Sequence, residues 1–137
     1  MLFHLLLDRI DLCVEVDRVQ YEELHQETQE ESSEVIQKRV CRAREKQAER
    51  YKNIGISTNG ELSSKEVERF CMLGKTEEEL MKQAFVSMNL SARKYYKILA
   101  VARTIADLDE EDCIQVRHLR EALAYRMIDE KYWGGTL

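Results

Sequence analysis

The chain has 137 residues, with 21 Lys plus Arg against 26 Asp plus Glu and a formal net charge of −5. That length bounds it to one ordinary domain or a piece of one, and the acid excess excludes an overall basic nucleic-acid-binding surface while leaving a local basic stripe open. Apolar residues make up 44% of the chain, enough to close a core, and zero prolines with five glycines leave few helix breakers, so the composition leans towards helix.

The start, Met1 to Leu7, is apolar, but it lacks a basic flank and ends at Asp8 and Arg9. It therefore reads neither as a secretory leader nor as a membrane span. Ile10, Leu12, Val14 and Val16 then alternate with Asp11 and Glu15, which predicts a half-buried strand. No other stretch alternates convincingly, so its hydrogen-bonding partners are expected from another subunit or from polypeptide outside these residues. Residues 21–32 are acidic and without clear period, a solvated linker or short irregular helix.

Helical signals repeat from there. Ser33 can cap a helix carrying Ile36, Val40, Ala43, Gln47 and Tyr51, with Gly55 and Asn59-Gly60 as the breaker. Ser63 with Glu66 forms a capping box for a short helix with Val67, Phe70 and Cys71 inside, ended by Gly74. Thr76 with Glu79 predicts a second box, opening a helix with Leu80, Met81, Ala84, Phe85 and Met88 on one stripe, and Asn89-Leu90 makes the connection. Ser91 caps a helix to about Leu108 that buries Tyr95, Ile98, Leu99, Ala102, Ile105 and Ala106. Asp109 to Asp112 form an acidic turn, and Val116, Leu119, Leu123 and Met127 mark a final helix. The fold class is mainly α, a bundle of four or five helices preceded by one orphan strand.

Several patterns resemble chemistry without supplying it. Gly55 to Gly60 has the glycine spacing of a P-loop, but Glu61-Leu62 stands where Lys and Ser or Thr are required, and a Glu would repel phosphate, so it reads as loop and turn. Ile105 to Glu110 could pass for a magnesium-binding acidic strand, yet it ends an amphipathic helix. The cysteines at 13, 41, 71 and 113 and the histidines at 4, 25 and 118 share no metal-ligand or nucleophile-base spacing, and the cysteines read as reduced and mostly buried in a cytosolic protein. Arg39, Arg42, Lys46 and Arg50 make a basic stripe beside Glu45 and Glu49; a solvated helix face is the better reading, with nucleic-acid contact the alternative. Arg9 precedes the strand and Arg93 sits in the first turn of a helix, where the dipole favours an anion, so Arg93 is placed to meet an anion using that end. Spacing alone leaves both as ordinary surface arginines.

Leu6-Leu-Asp-Arg-Ile-Asp-Leu12, Glu31-Ser-Ser33, Val40 with Arg42-Ala-Arg44 and Gln47, Asn59, the block from Leu90 to Leu108, His118-Leu119, Glu121-Ala-Leu123 and Tyr125-Arg126 together resemble the C-terminal part of the magnesium-chelatase-like AAA+ ATPases, most closely the ComM/YifB branch of competence-associated proteins. The long Ser-Ala-Arg to Thr-Ile-Ala-Asp-Leu block is the specific part. Magnesium-chelatase subunits and minichromosome-maintenance helicases share only its outline.

The resemblance implies a chain cut inside the ATPase core. Residues 1–20 would be a remnant of that core, 21–32 a linker, and 33–137 the helical lid. The P-loop would lie outside the chain, ATP and Mg2+ would be bound only by the full-length ATPase, and the fragment alone would be no enzyme. Arg93 matches the sensor-2 arginine acting on its own subunit's ATP, and Arg9 matches the arginine finger acting on a neighbour's. Full-length relatives form cytoplasmic hexameric rings linked to DNA processing, including branch migration in natural transformation, with no membrane partner. Alternatives from other classes are a free-standing helical protein-interaction module and a metal-chelatase motor fragment.

Overall fold

Three of the helix starts in this chain are fixed by serine side-chain caps, Ser32, Ser63 and Ser91. In the computed structural model, which describes residue 6, residues 9–25 and residues 30–133, with side chains as far as 127, five α-helices and two 3₁₀ turns follow one another. Helix α1 runs Ser33–Tyr51, α2 Ser64–Phe70, α3 Lys75–Ser87, α4 Ala92–Leu108 and α5 Val116–Trp133; the 3₁₀ turns are Tyr21–His25 and Asn59–Glu61. Ser63 Oγ accepts the Glu66 N–H while Glu66 accepts the Ser63 N–H at 2.7 Å, the reciprocal box expected there. Ser91 caps α4 through the Lys94 N–H. Asn89 takes a left-handed φ of 46° after α3, a conformation Asn tolerates, and the Leu90 N–H returns to the Phe85 carbonyl.

Helix α4 is the hub. It packs against α1, α2, α5 and the Asn59–Glu61 turn, while α3 closes on α5. The core is continuous across these contacts: Val67, Met81, Ile98, Ala102, Ala106 and Leu119 are all at most 1% exposed. Each large aliphatic side chain buried this way contributes about 1.5–3 kcal/mol of transfer free energy. Among the described residues no helix is long and apolar enough to cross a membrane.

Four expectations are corrected. Residues 10–16 join no β-ladder: they carry no regular secondary structure, and a backbone hydrogen bond runs from the Cys13 N–H not to a strand but to the Tyr125 carbonyl of α5, at 3.3 Å. Ile10, Leu12, Val14 and Val16 stay 42–85% exposed, because a single strand has no row of partners among the described residues. Helix α3 begins at Lys75 with Gly74 as its cap, so Thr76 lies inside the first turn, and Glu77 and Glu78 supply the negative charge the helix start favours. Helix α1 is capped by Ser32, one residue earlier than read, and only its C-terminal half is buried, since Ala43, Gln47 and Tyr51 face α4 while Ile36 and Val40 remain over 40% exposed. Finally, Met127 is 61% exposed, so the buried stripe of α5 ends near Leu123 and Arg126.

Truncating Leu119 to Ala should cost about 2–5 kcal/mol in urea unfolding, because it empties a site of zero exposure. Ile36→Ala should stay within about 0.5 kcal/mol. Equal losses would place Ile36 in the core.

Candidate functional site

A buried carboxylate organises the region around α4. Asp107 has zero exposure; its Oδ1 accepts from Arg50 Nη2 at 2.5 Å and lies 3.2 Å from Arg103 Nη2, while its Oδ2 accepts from Arg50 Nη1 and Asn59 Nδ2, each at 2.9 Å. Arg103, one helical turn earlier, donates to the Glu111 and Asp112 carbonyls at 2.7 Å each. Asn59 completes the knot, donating Nδ2–H to Thr104 and backbone N–H to Gln47, and accepting from the Tyr51 hydroxyl at 2.6 Å. The hydrogen bonds to Asp107 raise the Arg50 guanidinium above its ordinary pKa despite the opposing effect of burial, so it stays charged. The Gly55 to Gly60 segment is thus a structural loop whose Glu61 closes a capping box on Thr58.

The basic stripe of α1 is solvated at Arg39 and Arg42, as a surface face would be, but Lys46 and Arg50 are partly buried and none of the four pairs along its own helix. Arg39 forks onto Glu31, Arg42 reaches Glu110 at 2.5 Å, Lys46 holds the Glu110 carbonyl and Asp112, and Arg50 holds Asp107. Glu49 pairs with Lys52 instead. His118 is buried, its Nδ1 accepting the Gln115 N–H and its Nε2 lying 3.1 Å from Asp109, a structural role at the start of α5. His25 is exposed and meets Tyr21 edge-on, while His4 lies outside the described residues. Among the described residues no three His, Cys, Asp or Glu side chains converge as a metal site. The expectation of mostly buried cysteines is corrected: Cys41, on the outer side of α1, and Cys113, in the turn between α4 and α5, are exposed, Cys13 is half-buried, and Cys71 is buried.

A groove of about 700 Å³ opens beside this knot along α4, and Asn59 and Thr104 belong to both. Leu12, Leu62, Val67 and Val101 line it with apolar surface, and Arg93 and Lys97, one turn apart, bring positive charge to it. Its volume falls within the range of ligand and partner clefts. Tyr96, also on its wall, donates its hydroxyl to Glu68 at 2.5 Å and so ties α4 to α2, and that hydrogen bond raises the phenol above its usual pKa.

The two arginines singled out in the sequence lie on the same side of the molecule. Arg93 is exposed in the first turn of α4, and its guanidinium has no hydrogen-bond or ion-pair partner among the described residues. Arg9 is likewise exposed and its side chain unpartnered among them; its carbonyl accepts from Lys97 Nζ at 3.4 Å. The guanidiniums do not join, but Lys97 links their segments, also pairing with Asp11. Sequence reading missed Lys97 and the Asp107 knot. The signal for the latter was present: Arg103 and Asp107 are two charges at helical spacing on an otherwise apolar face.

A family model described as magnesium chelatase, subunit ChlI C-terminal, matches residues 30–126, a window containing Arg93 but not Arg9. The chain is 37% identical over 124 residues to "Uncharacterized protein YifB" of Salmonella typhimurium, covering 90% of this chain and 24% of that protein. Escherichia coli YifB is 39% identical over 99 residues, 72% of this chain and 19% of that protein. "Competence protein ComM" of Haemophilus influenzae is 40% identical over 121 residues, 88% of this chain and 23% of that protein. The chain therefore spans about a quarter or less of the length of the curated relatives it matches.

Replacing Asp107 by Asn should destabilise the fold by about 3–5 kcal/mol, because it leaves the Arg50 and Arg103 cations partly buried without their anion. Equilibrium urea unfolding reads this, and a loss below about 1 kcal/mol would mean that water or repacking replaces the carboxylate. Burial pushes the Cys71 thiol up to about 11. Native protein at pH 8 should therefore react with alkylating reagents at Cys41 and Cys113 but at Cys71 only on unfolding. Because the folded pKa is raised, the stabilisation is intact below the ordinary thiol range and is lost as pH climbs towards 11.

Proposed function

The chain belongs to the magnesium-chelatase ChlI C-terminal family, and from that premise we propose that it is the helical lid of a ring-forming AAA+ ATPase of the ComM/YifB kind, completing a nucleotide site whose phosphate cradle lies in the rest of the ATPase. Arg93 acts as the sensor on ATP bound to its own subunit. Arg9 acts as the finger that reaches ATP held by the neighbouring subunit. The partners are the chain's own ATPase core, the adjoining copies of a hexameric ring in the cytoplasm, and DNA remodelled by the whole assembly, as in branch migration during natural transformation. The designation of the Haemophilus relative as a competence protein supports that last step.

The observation that carries the reading is the state of Arg93. An arginine in the first turn of a helix opposes the helix dipole, and here no acid among the described residues neutralises it. A permanently charged, planar fork exposed at such an end suits phosphoryl oxygens, which it can hold in pairs, and ATP with Mg2+, when bound, supplies the phosphoanhydride being cleaved. The groove beside it supplies an apolar face for the core to close on.

In the full-length ATPase, Arg93→Ala should abolish hydrolysis at the mutated subunit's own site, and mixing with P-loop-dead subunits should not restore it. Arg9→Ala should also silence a homogeneous ring, by roughly 10³–10⁵ in rate, yet regain activity on mixing with P-loop-dead subunits that keep Arg9. Hydrolysis unaffected by either change, or equal rescue of both, would refute the division of roles. The isolated chain should show no micromolar affinity for ATP and Mg2+ by calorimetry, since Arg93 alone does not make a cradle.

A further inference from the structure

Lys97 stands one helical turn after Arg93, on the same face of α4, about 6 Å further along the axis. Its ammonium makes two contacts to the segment that precedes α1: it pairs with the Asp11 carboxylate and donates to the Arg9 carbonyl at 3.4 Å. The lysine side chain is 24% exposed, so this pair is partly shielded on its cationic side. Two residues beyond Asp11 the Cys13 N–H is held by the Tyr125 carbonyl of α5, and between them Leu12 lines the groove. Residues 9–13 are therefore clamped at both ends, to α4 by Lys97 and to α5 by a backbone hydrogen bond, while α4 and α5 pack directly on one another.

We propose that Lys97 couples the two arginines, fixing the backbone of Arg9 to the helix that carries Arg93. A shift of α4 that follows the nucleotide at Arg93 then moves Arg9 relative to the neighbouring subunit. The inference rests on the reading of Arg9 and Arg93 as serving different subunits, and it makes Lys97 a positioning residue that touches no nucleotide. The link is built to carry motion. A lysine whose ammonium holds both a carboxylate and the carbonyl of the finger residue constrains the backbone at that residue, whereas a simple surface pair would hold a side chain only.

The test uses the assembled ATPase with Lys97→Ala, Lys97→Arg and Asp11→Asn, alongside Arg9→Ala and Arg93→Ala. The wild-type ring should hydrolyse ATP cooperatively. Lys97→Ala and Asp11→Asn should bring the Hill coefficient towards one without changing nucleotide affinity, Lys97→Arg should restore cooperativity, and the double Lys97→Ala/Asp11→Asn change should add nothing further. In the isolated chain, Lys97→Ala should speed hydrogen exchange at the Cys13 amide by about two- to five-fold, the range a partly exposed ion pair can supply, with the thermal transition checking that the bundle is intact. Unchanged cooperativity in Lys97→Ala, a wild-type ring whose sites act independently, or unchanged exchange at Cys13 overturns the coupling; the first, with Arg9→Ala and Arg93→Ala silent, leaves the reading of the two arginines standing. Hydrolysis that survives Arg9→Ala and Arg93→Ala overturns that reading, and the coupling with it. Should Lys97→Ala fail to fold, Asp11→Asn carries both measurements from the exposed side of the pair.

Discussion

A carboxylate with no exposure must be met on every side, and the way Asp107 is met determines the shape of the molecule. Its partners come from three elements: Arg50 at the end of α1, Asn59 in the loop nine residues on, and Arg103 one turn back on α4. Removing one partner would leave a buried charge uncompensated, which costs several times what an exposed pair contributes. The same atoms reach further. Arg103 also donates from Nη1 and Nη2 to the carbonyls that start the turn into α5, and Asn59 fixes the backbone from which Gly60 and Leu62 extend to form one wall of the groove. The groove's shape is therefore set by a polar knot at its base, and apolar packing fills in around it.

The turn after α4 depends on that knot and adds a strain of its own. Glu110 has a left-handed φ of 61°, a conformation that costs a side-chain-bearing residue about 1–2 kcal/mol and that glycine usually fills. It is held by Arg42 through its carboxylate and by Lys46 through its carbonyl, so α1 contributes two cations to a strained corner of a different helix. The Glu111 N–H returning to the Ala106 carbonyl satisfies the helix end. From Arg42 onward the basic stripe of α1 thus works as a clamp between elements, with Arg50 on the buried anion and Arg42 and Lys46 on the exposed turn.

Most helices could be read from the sequence because their start signals are local chemistry: Ser63 with Glu66 and Ser91 cap where their spacing says they should. Thr76 with Glu79 misled because the same pattern can lie inside a helix when a glycine two residues earlier takes the cap conformation. The stripe Ile36 to Tyr51 has the right period from end to end, but periodicity does not say how far a neighbouring helix extends, and α4 covers only its second half. The strand pattern at 10–16 reports a preference for a sheet rather than the presence of one. Pairing is a property of a second strand, and none lies among the described residues. Arg42, Lys46 and Arg50 looked unpartnered because their partners are 57 to 68 residues away, beyond the reach of any helical spacing rule. Arg93 could be found from its position in a cap motif, whereas Lys97 could not, since its importance depends on which backbone happens to lie across α4.

The starts of the helices carry the functional contrast furthest. Helices α1, α2 and α3 each place an acid in the first turn, Glu34, Glu66 and the Glu77-Glu78 pair, where each stabilises the helix by about 0.3–1 kcal/mol. Helix α5 has a cation instead, but Arg117 is neutralised by Glu111 at 2.7 Å and by Asp109. Helix α4 alone among the described helix starts combines Arg93 and Lys94 with no acid partner. Every other cation needed for folding in this region, Arg42, Lys46, Arg50 and Arg103, is spoken for. A fold that neutralises its other helix starts and leaves this one doubly positive has given up stability there, and an anion bound at that end would restore it. On the proposed reading, phosphate held by the rest of an ATPase would be an anion of the right kind, meeting at that end the dipole and the uncompensated charges of Arg93 and Lys94.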